Sequence, residues 1–198
     1  KTKLDCFDFD GTLYNSPTNT KENHDLYEKA TGIPWLINKE LSRKLSRPGK
    51  FVPMRSGWFG RIETLQPPLV PSPAPDWWNR SVVEAFNTSL NDESVITVIM
   101  TGRHAGLKNA VLRICKDGKL FKLQTKHAKG GADYYEIVDE RVSFHCLGDN
   151  GPAPKGQKPN ETLPWKLWII EQYLDLYKDL TTIEFWEDRE EHIEPFKG

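Results

Sequence analysis

Short apolar runs alternate along this chain with stretches whose apolar residues recur at helical spacing. Residues 4–9 (LDCFDF) and 182–186 (TIEFW) are predicted strands, and residues 95–100 (VITVIM) form a β-branched run too short for a typical helix. Helices are predicted over about residues 77–90, 105–114 and 163–178, where one face is apolar. Residues 121–123 and 142–147 are weaker candidates for strands. This order of elements predicts an α/β fold with a parallel sheet flanked by helices.

Two regions interrupt that alternation and are expected to be loop-rich insertions. Residues 15–76 are basic and rich in proline and aromatic residues, and the motifs PP (67–68) and PSPAP (71–75) break helices. Residues 124–160 form a candidate second insertion, which is polar and glycine-rich. A chain of 198 residues, 37% of them hydrophobic, has the size of one domain. We therefore expect a single domain over residues 1–198.

Charge is distributed unevenly, although the net charge is only −1. Basic residues concentrate in two stretches, Lys39, Arg43, Lys44, Arg47, Lys50, Arg55 and Arg61, and Arg103, Lys108, Arg113, Lys116, Lys119, Lys122, Lys126 and Lys129. Such stretches attract a polyanion if they lie beside the active site, or they form an ordinary solvated surface. Trp35, Trp58, Trp77 and Trp78 lie in or beside the basic insertion of residues 15–76. They are candidates for stacking unpaired bases, or for a small satellite core.

The cysteine content and the hydropathy of the chain bear on its compartment. Three cysteines, Cys6, Cys115 and Cys146, are few and odd in number, which favours a reducing compartment. No stretch is apolar for long enough to cross a bilayer, and no secretory signal opens the sequence. We expect an intracellular protein without a membrane partner.

Polar residues follow three of the predicted strands at the point where each ends. Asp8 and Asp10 close the first strand, Thr101 follows the second, and Asp188 follows the last. Lys166 lies in the first turn of the helix before that last strand. Ligands of open α/β sheets bind outside the carboxyl ends of the strands, so these side chains are expected to meet there.

This set of side chains suits phosphoryl transfer. Asp8 is the candidate nucleophile, because a carboxylate can split hydrolysis into two displacements through an aspartyl-phosphate. Asp10 is the candidate general acid and base. Mg²⁺ prefers oxygen ligands, which Asp8, the Asp10 carbonyl and Asp188 can provide. Thr101 and Lys166 would stabilise the phosphate charge. The alternatives are an ordinary acidic turn at Asp8 and Asp10, a helix cap at Thr101 and a solvated Lys166.

The motifs LDCFDFDGTLYNSP (4–17), MTGR (100–103), ETLPWK (161–166) and FWEDREEHI (185–193) resemble those of the haloacid dehalogenase (HAD) superfamily. Within it they look like the phosphatase domain of Swiss-Army-knife RNA repair proteins. The last three are loosely similar to polynucleotide kinase-phosphatases, in which arginines follow the second and fourth motifs. The resemblance implies a HAD-like Rossmannoid sheet, an aspartyl-phosphate mechanism and Mg²⁺. It also implies phosphate contacts from Gly11, Thr12, Gly102, Arg103 and Arg189.

Two other residues compete for the metal-ligand role. Glu187 stands where many relatives carry aspartate, and its longer side chain could alter the metal site. Asp149, in LGDN (147–150), mimics a fourth motif and would shift the lysine role to Lys126 or Lys129. Asp188 is favoured, because the helix that carries Lys166 precedes it and keeps the expected motif order.

The expected function is a Mg²⁺-dependent phosphomonoester hydrolase that acts on RNA or DNA ends or on nucleotides, in RNA repair. One alternative is a small-metabolite phosphatase whose insertion closes as a lid. Another is a catalytically silent HAD-like scaffold within a ribonucleoprotein or a larger repair protein, since fold and motif alone do not establish turnover.

Overall fold

The computed structural model describes residues 1–33, 35, 58–149 and 161–189. In chain order the strands are β1 (Lys3–Phe7), β2 (Val95–His104), β3 (Leu123–His127), β4 (Asp133–Ile137), β5 (Val142–Leu147) and β6 (Thr182–Trp186). The α-helices are α1 (Lys21–Thr31), α2 (Arg80–Asn91), α3 (Lys108–Asp117) and α4 (Thr162–Leu176). Short 3₁₀ helices occupy Trp58–Gly60, Ile62–Leu65 and Ala105–Leu107.

Four parallel strands form the central sheet in the order β5, β2, β1, β6. Phe7, the last residue of β1, is in register with Ile99 of β2 and with Trp186 of β6. The carboxyl ends of these three strands therefore lie at one edge of the sheet. This layout confirms the predicted α/β fold.

Alternating side chains of β1 and β2 build a core on each face of the sheet. Phe7 and Ile99 point to the face covered by α2 and α3, where they pack with residues such as Phe86. Cys6 and Val98 point to the opposite face, which α4 covers. Helices cover both faces, which explains why the buried part of β2, residues 95–100, is a nearly continuous apolar run rather than an alternating one.

The buried side of α4 differs from the apolar face that the helical spacing of the sequence suggests, which comprises Leu163, Leu167, Ile170, Leu174 and Tyr177. Trp165, Lys166, Ile169 and Ile170 are its buried residues, whereas Leu174 is exposed. The helix is apolar on several sides, so spacing alone does not select the packed face. As a consequence, the helix carries a lysine into the interior.

The first insertion leaves and rejoins the sheet domain at one point. The Asn15 amide donates to the Trp77 carbonyl at 2.9 Å, so the two ends of the 15–76 region lie side by side. Inside it, Trp35 and Trp58, each 6% exposed, pack with Tyr27 and Leu69 in a satellite core. The satellite-core interpretation is confirmed for these two tryptophans. Residues 36–57, which hold most of the first basic stretch, lie outside the described residues.

The second candidate insertion is narrower in the structure than the predicted range 124–160. Within that range β5 belongs to the central sheet, and the part that departs from it is the antiparallel hairpin of β3 and β4. The Asn109 side chain anchors the hairpin to α3 through the Tyr135 amide and the Asp133 carbonyl. Residues 150–160 lie outside the described residues.

Cys6, Cys115 and Cys146 are buried, free cysteines. Among the helices of the described ranges, none has the length and apolar character that a membrane span requires.

The loop before β5 contains a buried carboxylate that stabilises the fold. Asp139, 5% exposed, accepts hydrogen bonds from the Arg141 side chain at 2.8 Å through both of its oxygens. These bonds lower the pKa of Asp139 to about 2. The unfolded chain takes up this proton near pH 4, so the stabilisation is complete at neutral pH and is lost as the pH falls toward 2.

We expect Asp139→Asn to lower the free energy of unfolding by about 1–3 kcal/mol at pH 7, because the Arg141 guanidinium loses its charged partner. The difference from the wild type should shrink as the pH falls from about 5 to about 2. Urea unfolding of both proteins across this range measures it. A difference that is constant with pH would contradict this role for Asp139.

Candidate active site

Strand pairing brings the polar ends of β1 and β6 together. The Asp8 amide donates to the Trp186 carbonyl at 3.0 Å, and the rings of Phe7 and Trp186 stack with centroids 4.3 Å apart. Residues 187–189 therefore begin next to Asp8. The sequence expectation that the first and last motifs meet agrees with this geometry.

Lys166 enters the same point from α4. Its Nζ lies 3.1 Å from Asp8 Oδ1 and 2.6 Å from Glu187 Oε2. The lysine is 1% exposed and Asp8 is 5% exposed. Because a buried ammonium is costly unless it is paired, the two carboxylates explain how α4 tolerates this lysine in its packed face. The solvated alternative for Lys166 is excluded by this burial.

Glu187 also shapes the turn that follows β6. Its Oε1 accepts hydrogen bonds from the Asp188 amide at 3.2 Å and the Arg189 amide at 3.4 Å. Carboxylate oxygens of Asp8, Glu187 and Asp188 all lie within 4.8 Å of one another. Of the sequence candidates, the structure thus gathers Asp8 and Asp188, and it adds Glu187, the weaker alternative.

The charge balance of this group fits a divalent cation. Three carboxylates face one ammonium, which leaves two negative charges in a partly buried site. Burial raises the pKa of Asp8 to about 7, although the Lys166 ammonium opposes that change. Burial and the neighbouring Glu187 raise the pKa of Asp188 to about 6. A cation bound by hard oxygen ligands, as Mg²⁺ is, would relieve this repulsion.

Asp10 points to a different partner, Arg103. Arg103 Nε and Nη2 donate to the two carboxylate oxygens of Asp10 at 2.9 and 2.7 Å. Arg103 Nη1 donates to the Phe59 carbonyl at 3.0 Å and to Thr64 Oγ1 at 2.6 Å, and the residue is 1% exposed. The structure thus places the guanidinium on Asp10 and on the first insertion, in a buried position rather than at an open surface.

Two buried threonines supply hydroxyl groups near the strand ends. Thr101 is fully buried, and its Oγ1 accepts a hydrogen bond from the Arg103 amide at 3.1 Å, which leaves the hydroxyl proton for another acceptor. Thr12 is 4% exposed, and its Oγ1 has no hydrogen-bond partner among the described residues. A buried hydroxyl without a partner is costly, so Thr12 fits a donor to a bound substrate oxygen.

Glycines allow close approach at two of the candidate positions. Gly11 has a φ of 74°, and a Cβ there would lie 2.3 Å from Asp188 Oδ2. A Cβ on Gly102 would lie 2.9 Å from Thr162 Cγ2, at the first residue of α4. Gly11 therefore admits the Asp188 carboxylate, and Gly102 admits the start of the helix that carries Lys166.

Asp149 lies apart from this cluster. It follows β5, which β2 separates from β1, and its carboxylate binds Lys108 Nζ at 2.9 Å and the Cys146 amide at 3.2 Å. Lys126 lies 3.3 Å from Glu136 on the hairpin. The geometry therefore favours Asp188 over Asp149 as the carboxylate that accompanies Asp8.

Several residues of the site have no signal in the sequence. Ser16 donates to Asp10, and Phe59 and Thr64 hold Arg103. Phe59 and Thr64 belong to the irregular insertion, where no motif or periodicity marks them, and Ser16 lies within the first motif but is not distinguished there by residue type or spacing. Glu187 did carry a signal, since an acidic pair follows an apolar strand, but its bond to Lys166 depends on the packing of α4.

Comparison with known proteins agrees with this geometry. A family model described as HAD domain family 1 in Swiss Army Knife RNA repair proteins matches residues 34–198. The matched range begins after Asp8 and Asp10, so it is independent of the first motif. The uncharacterized protein YMR265C of Saccharomyces cerevisiae is 24% identical over 202 residues, covering 100% of this chain and 36% of the yeast protein. The chain thus spans about a third of that relative's length. No solved structure matches the chain.

We expect Mg²⁺ at saturating concentration to raise the thermal unfolding midpoint of the wild type. Binding at about 100 times Kd adds about 2.7 kcal/mol, which corresponds to roughly 5–10 °C for a domain of this size. Asp188→Ala should lose most of this shift, and Asp149→Ala, the matched control, should keep it. Thermal unfolding with Mg²⁺ and with EDTA measures both. The reverse ranking would place the metal at Asp149.

Proposed function

The chain belongs to the HAD domain family of Swiss Army Knife RNA repair proteins, and from that membership we propose that it is a Mg²⁺-dependent phosphomonoester hydrolase of RNA ends. The family assignment supports phosphatase-type hydrolase activity. The observation that carries the proposal is the cluster of Asp8, Lys166, Glu187 and Asp188 at the carboxyl ends of β1 and β6.

Asp8 is the proposed nucleophile. A carboxylate oxygen of Asp8 attacks phosphorus, the bond from phosphorus to the ester oxygen breaks, and an aspartyl-phosphate forms. Water then attacks the phosphorus of this intermediate, which releases phosphate and restores the carboxylate. Lys166, whose Nζ lies 3.1 Å from Asp8 Oδ1, orients the attacking group and adds positive charge beside the phosphate.

Asp10 is the proposed acid and base of the two steps. It gives its proton to the departing ester oxygen and later takes one from the attacking water. The bidentate contact with Arg103 fixes the direction of the Asp10 carboxyl group. In this arrangement Arg103 acts through Asp10 as a positioning residue, in place of the direct phosphate contact that the family resemblance implies.

The remaining phosphate oxygens need donors and a counter-charge. The Thr101 and Thr12 hydroxyls are suited to donate hydrogen bonds. Mg²⁺, held by Asp8 and Asp188 with Glu187 beside them, would supply the charge that neutralises the phosphate. Arg189 follows Asp188 directly and is suited to contact the rest of the substrate.

RNA ends are the proposed substrate because the matched family is described from RNA repair proteins. A small phosphorylated metabolite is the competing substrate class. Phosphate release from an aryl phosphate, a nucleoside monophosphate and a 3′-phosphorylated RNA oligonucleotide, each with Mg²⁺ or EDTA, separates the two. Metal-dependent turnover that is highest on the RNA supports the proposal, and equal turnover of the mononucleotide would contradict the RNA assignment.

We expect Asp8→Asn to abolish phosphate release from every substrate, because an amide cannot form the acyl phosphate. The fold should be retained, since Asn preserves the shape of the side chain, and urea unfolding checks this. Asp149→Asn is the matched control and should keep activity. Undiminished turnover in Asp8→Asn would exclude the aspartyl-phosphate mechanism.

Arg103→Lys tests the positioning of Asp10. General acid catalysis contributes about 10²–10⁴-fold where the leaving group needs a proton. We expect a loss of about 10²-fold in kcat/KM for a ribonucleotide ester, and a much smaller loss for 4-nitrophenyl phosphate, whose leaving group departs without protonation. Thr64→Val removes a contact of Arg103 without touching Asp10 and serves as the control. Equal losses on both substrates would indicate that Arg103 is structural only.

A further inference from the structure

A groove of about 450 Å³ opens at the end of the sheet opposite the candidate active site. Asn91 at the end of α2, Lys116 in the last turn of α3 and Arg141 just before β5 line it. These elements lie at the amino ends of β2 and β5, whereas Asp8 follows the carboxyl end of β1. The groove is therefore separate from the site described above.

The rim of the groove is basic. Lys116, Lys119, Lys122 and Arg141 line it together with one carboxylate, Asp139. Arg141 is held by Asp139 through two hydrogen bonds of 2.8 Å, so this pair is neutral and fixed. None of the three lysines has an ion-pair partner in the part of the chain that the structure describes. Three positive charges are left around the opening.

Four other cations of the same basic stretch form ion pairs within the protein. Arg103 binds Asp10, Lys108 binds Asp149, Arg113 binds Asp117 and Lys126 binds Glu136. The charges of these four residues are therefore not available to steer a polyanion toward the active site. Of the lysines in this stretch that form no ion pair with the described residues, Lys116, Lys119 and Lys122 line the groove, and Lys129 lies outside it.

The interior of the groove suits a nucleotide. Leu90, Leu120 and Phe121 form an apolar floor, and the amide side chains of Asn87 and Asn91 stand beside it. A base can lie against apolar surface while lysines hold the phosphates. Lysine is a flexible point charge without the planar geometry of arginine, so such contacts are independent of sequence.

We propose that this groove binds the phosphate backbone of an RNA strand whose end occupies the candidate active site. The inference rests on the proposed function, because it takes RNA as the substrate. The six residue steps from Val95 to Thr101 along β2 span roughly 20 Å, since a strand rises about 3.3 Å per residue. At 3.4 Å per nucleotide, the rise of one strand of duplex DNA, that length corresponds to about six nucleotides. An RNA of 12 nucleotides can reach both places, and a dinucleotide cannot.

The structural alternative is that these lysines only balance the negative carboxyl ends of α2 and α3. Lys116 lies in the last turn of α3 and fits that role, but Lys119 and Lys122 lie beyond the helix. Lys119 has a φ of 54°, a conformation that asparagine tolerates. The variant Lys119→Asn/Lys122→Gln therefore removes two positive charges and is compatible with the backbone conformation at residue 119.

The experiment measures the Kd of a 12-nucleotide, unphosphorylated single-stranded RNA by fluorescence anisotropy over a range of salt concentrations. The full chain and the variant Lys119→Asn/Lys122→Gln are compared with the control Lys29→Gln/Lys178→Gln, which removes two exposed lysines outside the groove. Each phosphate contact to a single strand contributes about 0.7 to the slope of log Kd against log salt. We expect the groove variant to reduce that slope by about 1.4 and to weaken Kd about tenfold at low salt. The control should change neither.

Equal Kd and slope in the groove and control variants would overturn the proposal. Equally tight competition by a polyglutamate peptide of the same charge would also overturn it, because the site would then not distinguish RNA from an acidic protein. Urea unfolding checks that the variants are folded. If the double variant is not folded, the single variant Lys122→Gln takes its place in the binding measurement.

Phosphate release from 4-nitrophenyl phosphate separates this inference from the proposed function. If the wild type releases no phosphate but the groove variant loses RNA binding, the proposed function fails and the groove assignment stands. If release is normal and RNA binding does not depend on Lys119 and Lys122, only the groove assignment fails.

Discussion

A buried ammonium between two carboxylates determines the arrangement of the candidate site. Lys166, 1% exposed, lies between Asp8 and Glu187, and removing the cation of such a buried group typically costs about 3–5 kcal/mol, because the carboxylates are left uncompensated. The interaction joins α4 to the ends of β1 and β6, and Glu187 also sets the turn that presents Asp188. The packing of α4 on the sheet and the assembly of the site therefore depend on each other, because neither the lysine nor the carboxylates could be buried alone.

A second charged contact links the site to the first insertion. Arg103 reaches Asp10 with one side of its guanidinium and the Phe59 carbonyl and Thr64 hydroxyl with the other. The insertion therefore contributes to the candidate site, since it binds Arg103, which orients Asp10, the candidate acid and base. Phe59 packs against the satellite core built on Trp35 and Trp58, so that core supports the contact.

The sequence predicted the sheet well and the insertions poorly, for physical reasons. Strand β2 is recognisable because burial on both of its faces demands an apolar run. Helix α1 escaped prediction because residues 21–31 (KENHDLYEKAT) are almost wholly polar and bury only Tyr27. Motifs at strand ends placed Asp8, Lys166 and Asp188 in one site, because parallel strands share their carboxyl edge. The contact of Arg103 with Asp10 joins residues 93 positions apart, and it depends on packing that no local pattern encodes.

The central claim, that Asp8 is the nucleophile, is tested most directly by trapping the covalent intermediate. The chain is mixed with excess phosphorylated substrate and Mg²⁺, quenched in acid within milliseconds, digested, and analysed by mass spectrometry. The account predicts a phosphoryl adduct on the peptide that contains Asp8, which borohydride reduces to homoserine at that position. Steady turnover with no adduct, or with the adduct on another residue, would contradict it.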